Sequence, residues 1–449
     1  MAWLERIFQL SVHRTTVLAE ARGGLVTFLT MSYIIFVQPG VLSAVGMDFG
    51  AVMVATCLSS ALATFIMAFG ANYPVALAPC MGENFFFVTV CMGVVTGTKV
   101  SWQIALAAVF VSGVLFLLLS AVRLREIIIE SLPLSLKFAI PVGIGLFIAF
   151  IGLQQGGLVV AAPGSMVALG TLSSGPALLT LFGLLVTAVL ITMRMRGAIL
   201  FGLLVTAIAG LPFGLVSYHG LFSLPPSLTP VLFKMDLAGL FEVAMLPVVV
   251  IFLFMVLFDT LGTLVGVGQQ AGLMNDGQLE RAGRALFSDA VGTTAGALLG
   301  TSTVSSYIES AAGVAAGART GLASVFTGGL FLMALFFFPL VQMVGGGLEV
   351  SPGVFLRPVT APVMIVVGSL MVRGVRDIPW DEPSEALPAF LVILGIPFTY
   401  SIADGLAMGF VSYPLLKLLS GRGREVKVAM YALAIVLGGV FGLKTYLGG

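Results

Sequence analysis

Along most of the chain, apolar residues run for roughly 20 positions before a Gly, a Pro or a charge interrupts them, the length an α-helix needs to cross a bilayer. Such runs fall near 24–45, 51–70, 102–121, 133–153, 175–193, 198–217, 243–268, 285–300, 321–343, 357–373, 385–419 and 427–446. Each predicts a membrane-spanning helix. Pro397 and Gly405 interrupt the run 385–419, which is therefore expected to turn back instead of crossing once.

Two further stretches break the helical rule. Tyr73-Pro74-Val75-Ala76-Leu77-Ala78-Pro79 cannot be a helix interior, because two prolines remove donors and push their predecessors to extended geometry. A short strand followed by a half-helix opening at Cys80-Met81-Gly82 is the natural reading. Thr301 to Ser306 is rich in hydroxyl and β-branched residues, and helical patterning resumes only around Tyr307-Ile308-Glu309. Here a second extended piece leads into a second half-helix, with Ser305 and Ser306 placed to cap it and to leave free amides, with Tyr307, at membrane depth.

Glu83 and Glu309 sit just inside these two half-helices, 226 residues apart, about half of the 449-residue chain. That spacing predicts a duplication. Twelve runs and two interrupted segments make fourteen, seven per half, and an odd number per half turns the second copy upside down. The fold class expected is an all-α polytopic membrane protein of two inverted seven-segment repeats.

Composition removes the competing classes. Hydrophobic residues make up 59% of the chain and charged ones 9%, against about 25% charged in soluble domains. The mean hydropathy is +1.13. The formal charge of +1 leaves no basic face for nucleic acid. Cys57, Cys80 and Cys91 show no CxxC or Cys/His spacing and the only histidines are His13 and His219, so neither a disulfide framework nor a metal site is expected. The same scarcity argues against an intramembrane enzyme, since no HExxH motif or Ser/His pair falls within the spans. Residues 1–22 mix Glu5, Arg6, His13, Arg14 and Glu20 and lack the apolar run of a cleaved signal, which predicts an interfacial start on the cytoplasmic side. With that orientation Arg6, Arg14, Arg22, Arg123, Arg125, Lys137, Arg194, Arg196, Arg281, Arg284, Arg319, Arg373 and Arg376, thirteen of 21 basic residues, fall inside. Lys417, Arg422, Arg424 and Lys427 fit only if 385–419 doubles back.

Ionisable groups at membrane depth are costly and mark function by default. Glu83, Asp259, Asp289 and Glu309 are the candidates, and no Lys or Arg shares their apolar stretches. Carboxylates in that setting persist if they are protonated, solvated by a cavity or bonded to a donor-bearing ligand, and all three suit a proton-coupled carrier. Asp289, near Arg281 and Arg284, is expected to form a structural ion pair, and Asp404 a cap or turn. Tyr33 matches the depth of Asp259 in the first repeat. Asn84 accompanies Glu83, and Phe85, Phe86 and Phe87 offer a ring to stack on a planar ligand. Gly292, Gly296 and Gly300, spaced by four, are read as helix-packing positions. The physics of these residues ends at a small, neutral or cationic cargo rich in hydrogen-bond donors.

The stretches Gly24 to Tyr33, Phe258-Asp259-Thr260-Leu261-Gly262-Thr263-Leu264-Val265-Gly266 and, above all, Gly300 to Gly313 with Arg319-Thr320-Gly321 resemble the adenine/guanine/hypoxanthine permease branch of the nucleobase:cation symporter-2 family. The resemblance implies a core domain (segments 1–4, residues 23–121, and 8–11, residues 239–344) and a gate domain (segments 5–7, 122–238, and 12–14, 345–449). It further implies proton-coupled purine uptake by elevator-like movement, a homodimer through the gate domain, no cofactor, and residence in the cytoplasmic membrane. Asp259 and Glu309 match the acidic residues that bind or couple to the base, and Asn84 the segment-3 Asn. The chain departs from the pattern at Gly82-Glu83-Asn84-Phe85-Phe86-Phe87, where the family shows an apolar residue in place of Glu83, and at Gln38-Pro39, where it shows Asn-Pro. The extra carboxylate adds Glu83 to the candidates for substrate binding and proton coupling.

Overall fold

The computed structural model describes residues 2–121, 133–242, 245–275, 278–351 and 354–447; Arg123 and Arg125 lie outside them. Among the described residues, eight helices are long and apolar enough to cross a membrane, and shorter apolar helices accompany them. Helix α1 spans Ala2–Phe8, α2 Val17–Met31, α3 Tyr33–Ser43 and α4 Phe49–Ile66. Strand β1 (Leu77–Pro79) leads into α5 (Met81–Cys91), followed by α6 (Trp102–Ala121), α7 (Leu134–Gln155), the hairpin β2–β3 (Val159–Ala162, Met166–Leu169), α8 (Gly175–Thr192) and α9 (Ala198–Gly210). After α10 (Leu237–Glu242) come α11 (Leu246–Ala271), the short pair β4–β5 (Met274–Asn275, Gln278–Leu279) and α12 (Ala282–Leu299). Strand β6 (Val304–Ser306) precedes α13 (Ser310–Ala315), α14 (Gly321–Ala334) and α15 (Phe338–Gly345). The chain ends with β7 (Leu348–Ser351), β8 (Val354–Leu356), α16 (Ala361–Met371), α17 (Pro383–Phe398), α18 (Ile402–Leu419) and α19 (Val428–Leu447).

Both interrupted segments have the expected form, a strand and then a short helix. The strands come from opposite halves of the chain and pair antiparallel, with Leu77 opposite Ser306, Ala78 opposite Ser305 and Pro79 opposite Val304. Two strands buried among helices have outer edges that water cannot reach, so those groups must be satisfied by side chains. Thr64 of α4 does this for β1, its hydroxyl accepting from Leu77 N–H (2.9 Å) and donating to Leu77 C=O (3.2 Å). Thr293 of α12 does it for β6, donating to Val304 C=O (2.8 Å). The two threonines occupy matching places in the two halves.

The helices pack in two groups. In one, α14 lies on α2 and α4, α12 lies on α4 and α6, and α11 lies on α6 and α13; in the other, α7 packs against α16 and α17, α8 against α9 and α16, and α17 against α18. Gly292 and Gly296 of α12 do serve close packing. A Cβ at 292 would stand 2.8 Å from that of Ala63, and one at 296 would stand 2.9 Å from Val304. Gly300 has a different role, closing α12 in the left-handed region at φ +94°.

Helix α2 already begins at Val17, seven residues ahead of the expected first apolar run at 24. Glu20 is wholly buried, and its carboxylate accepts from the N–H groups of Arg319 (2.9 Å), Thr320 and Ala323 (both 3.2 Å), which caps the start of α14. Residues 385–419 form two helices, and their antiparallel course is fixed by Lys417 Nζ, 3.0 Å from both Glu385 and Glu425. The turn between them is capped by Ser401, whose hydroxyl accepts from Asp404 N–H (3.2 Å); Asp404 itself lies inside the first turn of α18.

Candidate functional site

The site assembles where β1 and β6 meet. Pro74 and Pro79 keep the first strand extended, and Cys80 N–H donates to Thr303 C=O (3.1 Å) while Tyr307 N–H donates to Ala76 C=O (2.9 Å), extending the ladder at both ends. Tyr307 also donates its hydroxyl to Pro79 C=O (2.6 Å). Helices α5 and α13 therefore start from one rigid two-stranded base. Gly82 lets α7 come close to the start of α5, since a Cβ there would stand 2.9 Å from Ile144.

Asp259, from the middle of α11, reaches this base. Its Oδ2 accepts from Ser305 Oγ (2.6 Å) and from Cys80 Sγ (3.2 Å). Glu83, fully enclosed on the first turn of α5, lies beside the same thiol. Cys80 Sγ and carboxylate oxygens of Glu83 and Asp259 lie within 4.8 Å of one another, close enough to share a proton or hold a cation. On the other half, Glu309 Oε1 accepts from Tyr33 Oη (2.8 Å), and the rings of Tyr33 and Tyr307 sit 6.4 Å apart. Glu309 occupies the N-cap position of α13 but its side chain makes no capping bond. It is directed to Tyr33 instead. Among the described residues no Lys or Arg forms an ion pair with Glu83, Asp259, Asp289 or Glu309.

Asn84 faces the second extended piece. Its Oδ1 accepts from Ser302 Oγ, and Ser302 in turn accepts from Gln38 Nε2 (3.2 Å), which also reaches Thr301 Oγ1 (3.0 Å). The Gln38 position, singled out by its departure from the expected Asn, thus fastens α3 to the second extended piece. Asn84 Nδ2 and Gln38 Oε1 are buried without a protein partner. Phe85 packs edge-on against Phe147 of α7 (6.2 Å) and Phe86 against Phe252 of α11 (4.7 Å), so both rings meet protein rings in this structure.

Several roles differ from those expected. Ser305 and Ser306 lie in β6 and do not cap α13; they bind the carboxylates of Asp259 and Asp289. Nor are their amides free, since Ser306 N–H donates to Asp289 Oδ1 (2.6 Å) and Tyr307 N–H is in the ladder. Asp289 does not form the expected ion pair with Arg281 or Arg284; its partners are Ser306 and Thr260 Oγ1 (3.1 Å). Tyr33 meets Glu309, not Asp259. The Cys80 thiol between two carboxylates has no signature in the linear sequence beyond its place at the mouth of the half-helix.

Comparison with known proteins places this geometry. The chain is 45% identical to the guanine/hypoxanthine permease PbuG of Bacillus subtilis over 445 residues, covering 96% of this chain and 98% of that one. It is 40% identical to the adenine permease AdeQ of Escherichia coli over 445 residues, 99% of this chain and 96% of that one. Among solved structures it is similar to the transmembrane domain of the cyanobacterial bicarbonate transporter BicA, with a TM-score of 0.62 at 16% identity over 87% of this chain and 96% of that one. The anion transporter SLC26A9 matches with a TM-score of 0.61 at 9% identity over 93% of this chain and 69% of that one. Both likenesses are of fold alone. The profile of the xanthine/uracil permease group, described as the Permease family, matches residues 19–442, and with these relatives it shows that the chain, an integral membrane protein, belongs to that family.

Proposed function

We propose that the protein imports purine nucleobases across the cytoplasmic membrane by proton symport, with its N-terminus inside. The observation that carries this reading is the set of carboxylates at the β1–β6 junction with no basic partner among the described residues. Carboxylates accept parallel N–H bonds from a planar heterocycle and take up protons when no cation is supplied. The names of the relatives, guanine/hypoxanthine and adenine permeases, supply the substrate class.

Asp259 and Glu309 bind the base from opposite sides of the strand pair, with Tyr33 orienting Glu309, Asn84 and Phe85 contributing from α5, and Glu83 adding a second carboxylate beside Asp259. Glu309, Asp259 and Glu83 are the proton-coupling groups. Binding energy then depends on protonation, which ties uptake to the proton gradient. The group holding α2–α6 and α11–α15 is the core domain, the group holding α7–α9 and α16–α18 is the gate, and movement of one past the other carries the site across. Counting the two interrupted segments, the architecture is fourteen segments in inverted repeats, and a homodimer forms through the gate domain.

Uptake of radiolabelled hypoxanthine, guanine, adenine, xanthine and uracil into proteoliposomes, with and without an inward proton gradient, tests the reading. Gradient-driven purine uptake whose preference or pH profile changes in Glu83→Leu is expected. Uptake of bicarbonate or sulfate, with no base carried under any condition, would replace it with an anion-transport reading on the same fold.

A further inference from the structure

Arg357 stands apart from every charge pairing described above. It lies between β8 and α16, where its N–H donates to Gln155 C=O (2.8 Å) and its C=O accepts from Ala361 N–H (2.9 Å), so its backbone is tied to the end of α7 and the start of α16. The side chain crosses to the other helix group, and its Nη2 is 3.3 Å from Ser43 Oγ of α3. Gly40 makes that crossing possible, because a Cβ there would stand 3.0 Å from Arg357 Nε and 3.1 Å from Gly345 C=O. Nε is buried and has no acceptor. No carboxylate among the described residues forms an ion pair with this guanidinium.

Beside it lies a cavity of about 180 Å³, walled by Arg357, Gln342, Ser217, His219 and the backbone at Gly346 and Gly347. That is room for several waters or for a polyatomic ion with water around it. A half-enclosed cation without a counter-charge is costly, whereas a guanidinium meeting an oxyanion makes paired, charge-assisted hydrogen bonds. We propose that this cavity, at the seam between the two helix groups and apart from the carboxylate site, binds the phosphate oxygens of a single anion, either free phosphate or a lipid headgroup, through Arg357.

The site makes no use of the transport reading, and its test measures binding. Radiolabelled phosphate is titrated against the purified full chain in dodecyl maltoside, a detergent without phosphate, and, separately, in the same detergent with phosphatidylglycerol added. Saturable binding of one phosphate per chain is expected in the first, weakened about tenfold or more in Arg357→Gln, in line with loss of a charged hydrogen bond. Ser43→Asp places a carboxylate beside the guanidinium, so it should abolish binding while leaving the protein folded, and it serves where Arg357→Gln does not fold. Displacement of phosphate by phosphatidylglycerol identifies the lipid headgroup as the natural occupant, and undiminished binding identifies the free ion. Absence of saturable binding in dodecyl maltoside alone, or binding of equal strength in the Ser43→Asp protein, overturns the proposal.

Discussion

Two acidic clusters in this protein are built on opposite principles. At the ends of α17 and α18, Glu382, Glu385 and Glu425 meet Lys417 and Arg422 at 2.7–3.0 Å, with Tyr413 Oη donating to Glu385 at 3.1 Å. At the β1–β6 junction Asp259, Asp289 and Glu309, with Glu83 close to Asp259, meet only hydroxyls, a thiol and an amide among the described residues. The first cluster is complete in itself and brings two helix ends together. The second is an open set of acceptors whose charge must be met by protons or by a ligand, and at membrane depth that incompleteness is what makes it a site. Asp289 separates the two roles within the second cluster: with three donors from Ser306 and Thr260 it is saturated. Glu309, with one donor from Tyr33, is not.

If that contrast is right, the largest effects come from the unsaturated carboxylates. Glu309→Gln keeps the shape and the contact with Tyr33 but removes the titrating group, so gradient-driven purine uptake into proteoliposomes should vanish while counterflow of base down its own gradient survives. Normal proton-dependent accumulation in this variant removes Glu309 from coupling. Next is Asp259→Ala, which deletes the acceptor shared by Ser305 and Cys80 and a charge-assisted bond to the base. Base affinity should fall by about 10- to 100-fold, the range for a hydrogen bond to a charged group. Equilibrium binding of radiolabelled base to purified protein checks it, and unchanged affinity assigns Asp259 to structure.

How much of this was legible without coordinates follows the distance between partners in the chain. The strand and half-helix pairs are readable because prolines at 74 and 79 and the run Thr301–Ser306 act locally on the backbone. Ser305 and Ser306 were misassigned because a hydroxyl before a helix reads as a cap, while their real partners, Asp259 and Asp289, lie 46 and 17 residues away. Asp289 was paired with its neighbours in sequence for the same reason. Glu20 left no signal at all: a single carboxylate in a mixed polar start gives no hint of three amides some 300 residues away.

Glu20 offers an intermediate test, because it is saturated like Asp289 yet far from the site. Glu20→Ala leaves the N–H groups of Arg319, Thr320 and Ala323 without their acceptor in a buried setting. The expected loss is about 2 kcal/mol of stability, read as a lower thermal midpoint in detergent. Base affinity at saturating temperature margin should change far less than in Asp259→Ala. A variant as stable as wild type would show that α14 starts without this cap.

The smallest effect belongs to the completed cluster. Arg422, and after it Lys417, hold the Glu425 carboxyl down at about 2, from an ordinary value of 4.5, and Ser384 and Arg422 lower Glu382 as well. A carboxyl whose folded value is depressed contributes stability that is fully present above its unfolded value and is lost as pH falls toward the folded one. Glu425→Gln should therefore narrow the difference in thermal midpoint between pH 5 and pH 2.5 and leave the midpoint at pH 7 only slightly lower, because Glu425 and Arg422 are exposed and screened by water and salt while buried Lys417 keeps Glu385 as its partner. Raising the ionic strength should shrink even that difference, whereas the effect of Asp259→Ala on base affinity, arising in an enclosed site, should persist in high salt. Equal salt sensitivity of the two variants would mean that the junction is as open to solvent as the loop, and the contrast between the clusters would collapse.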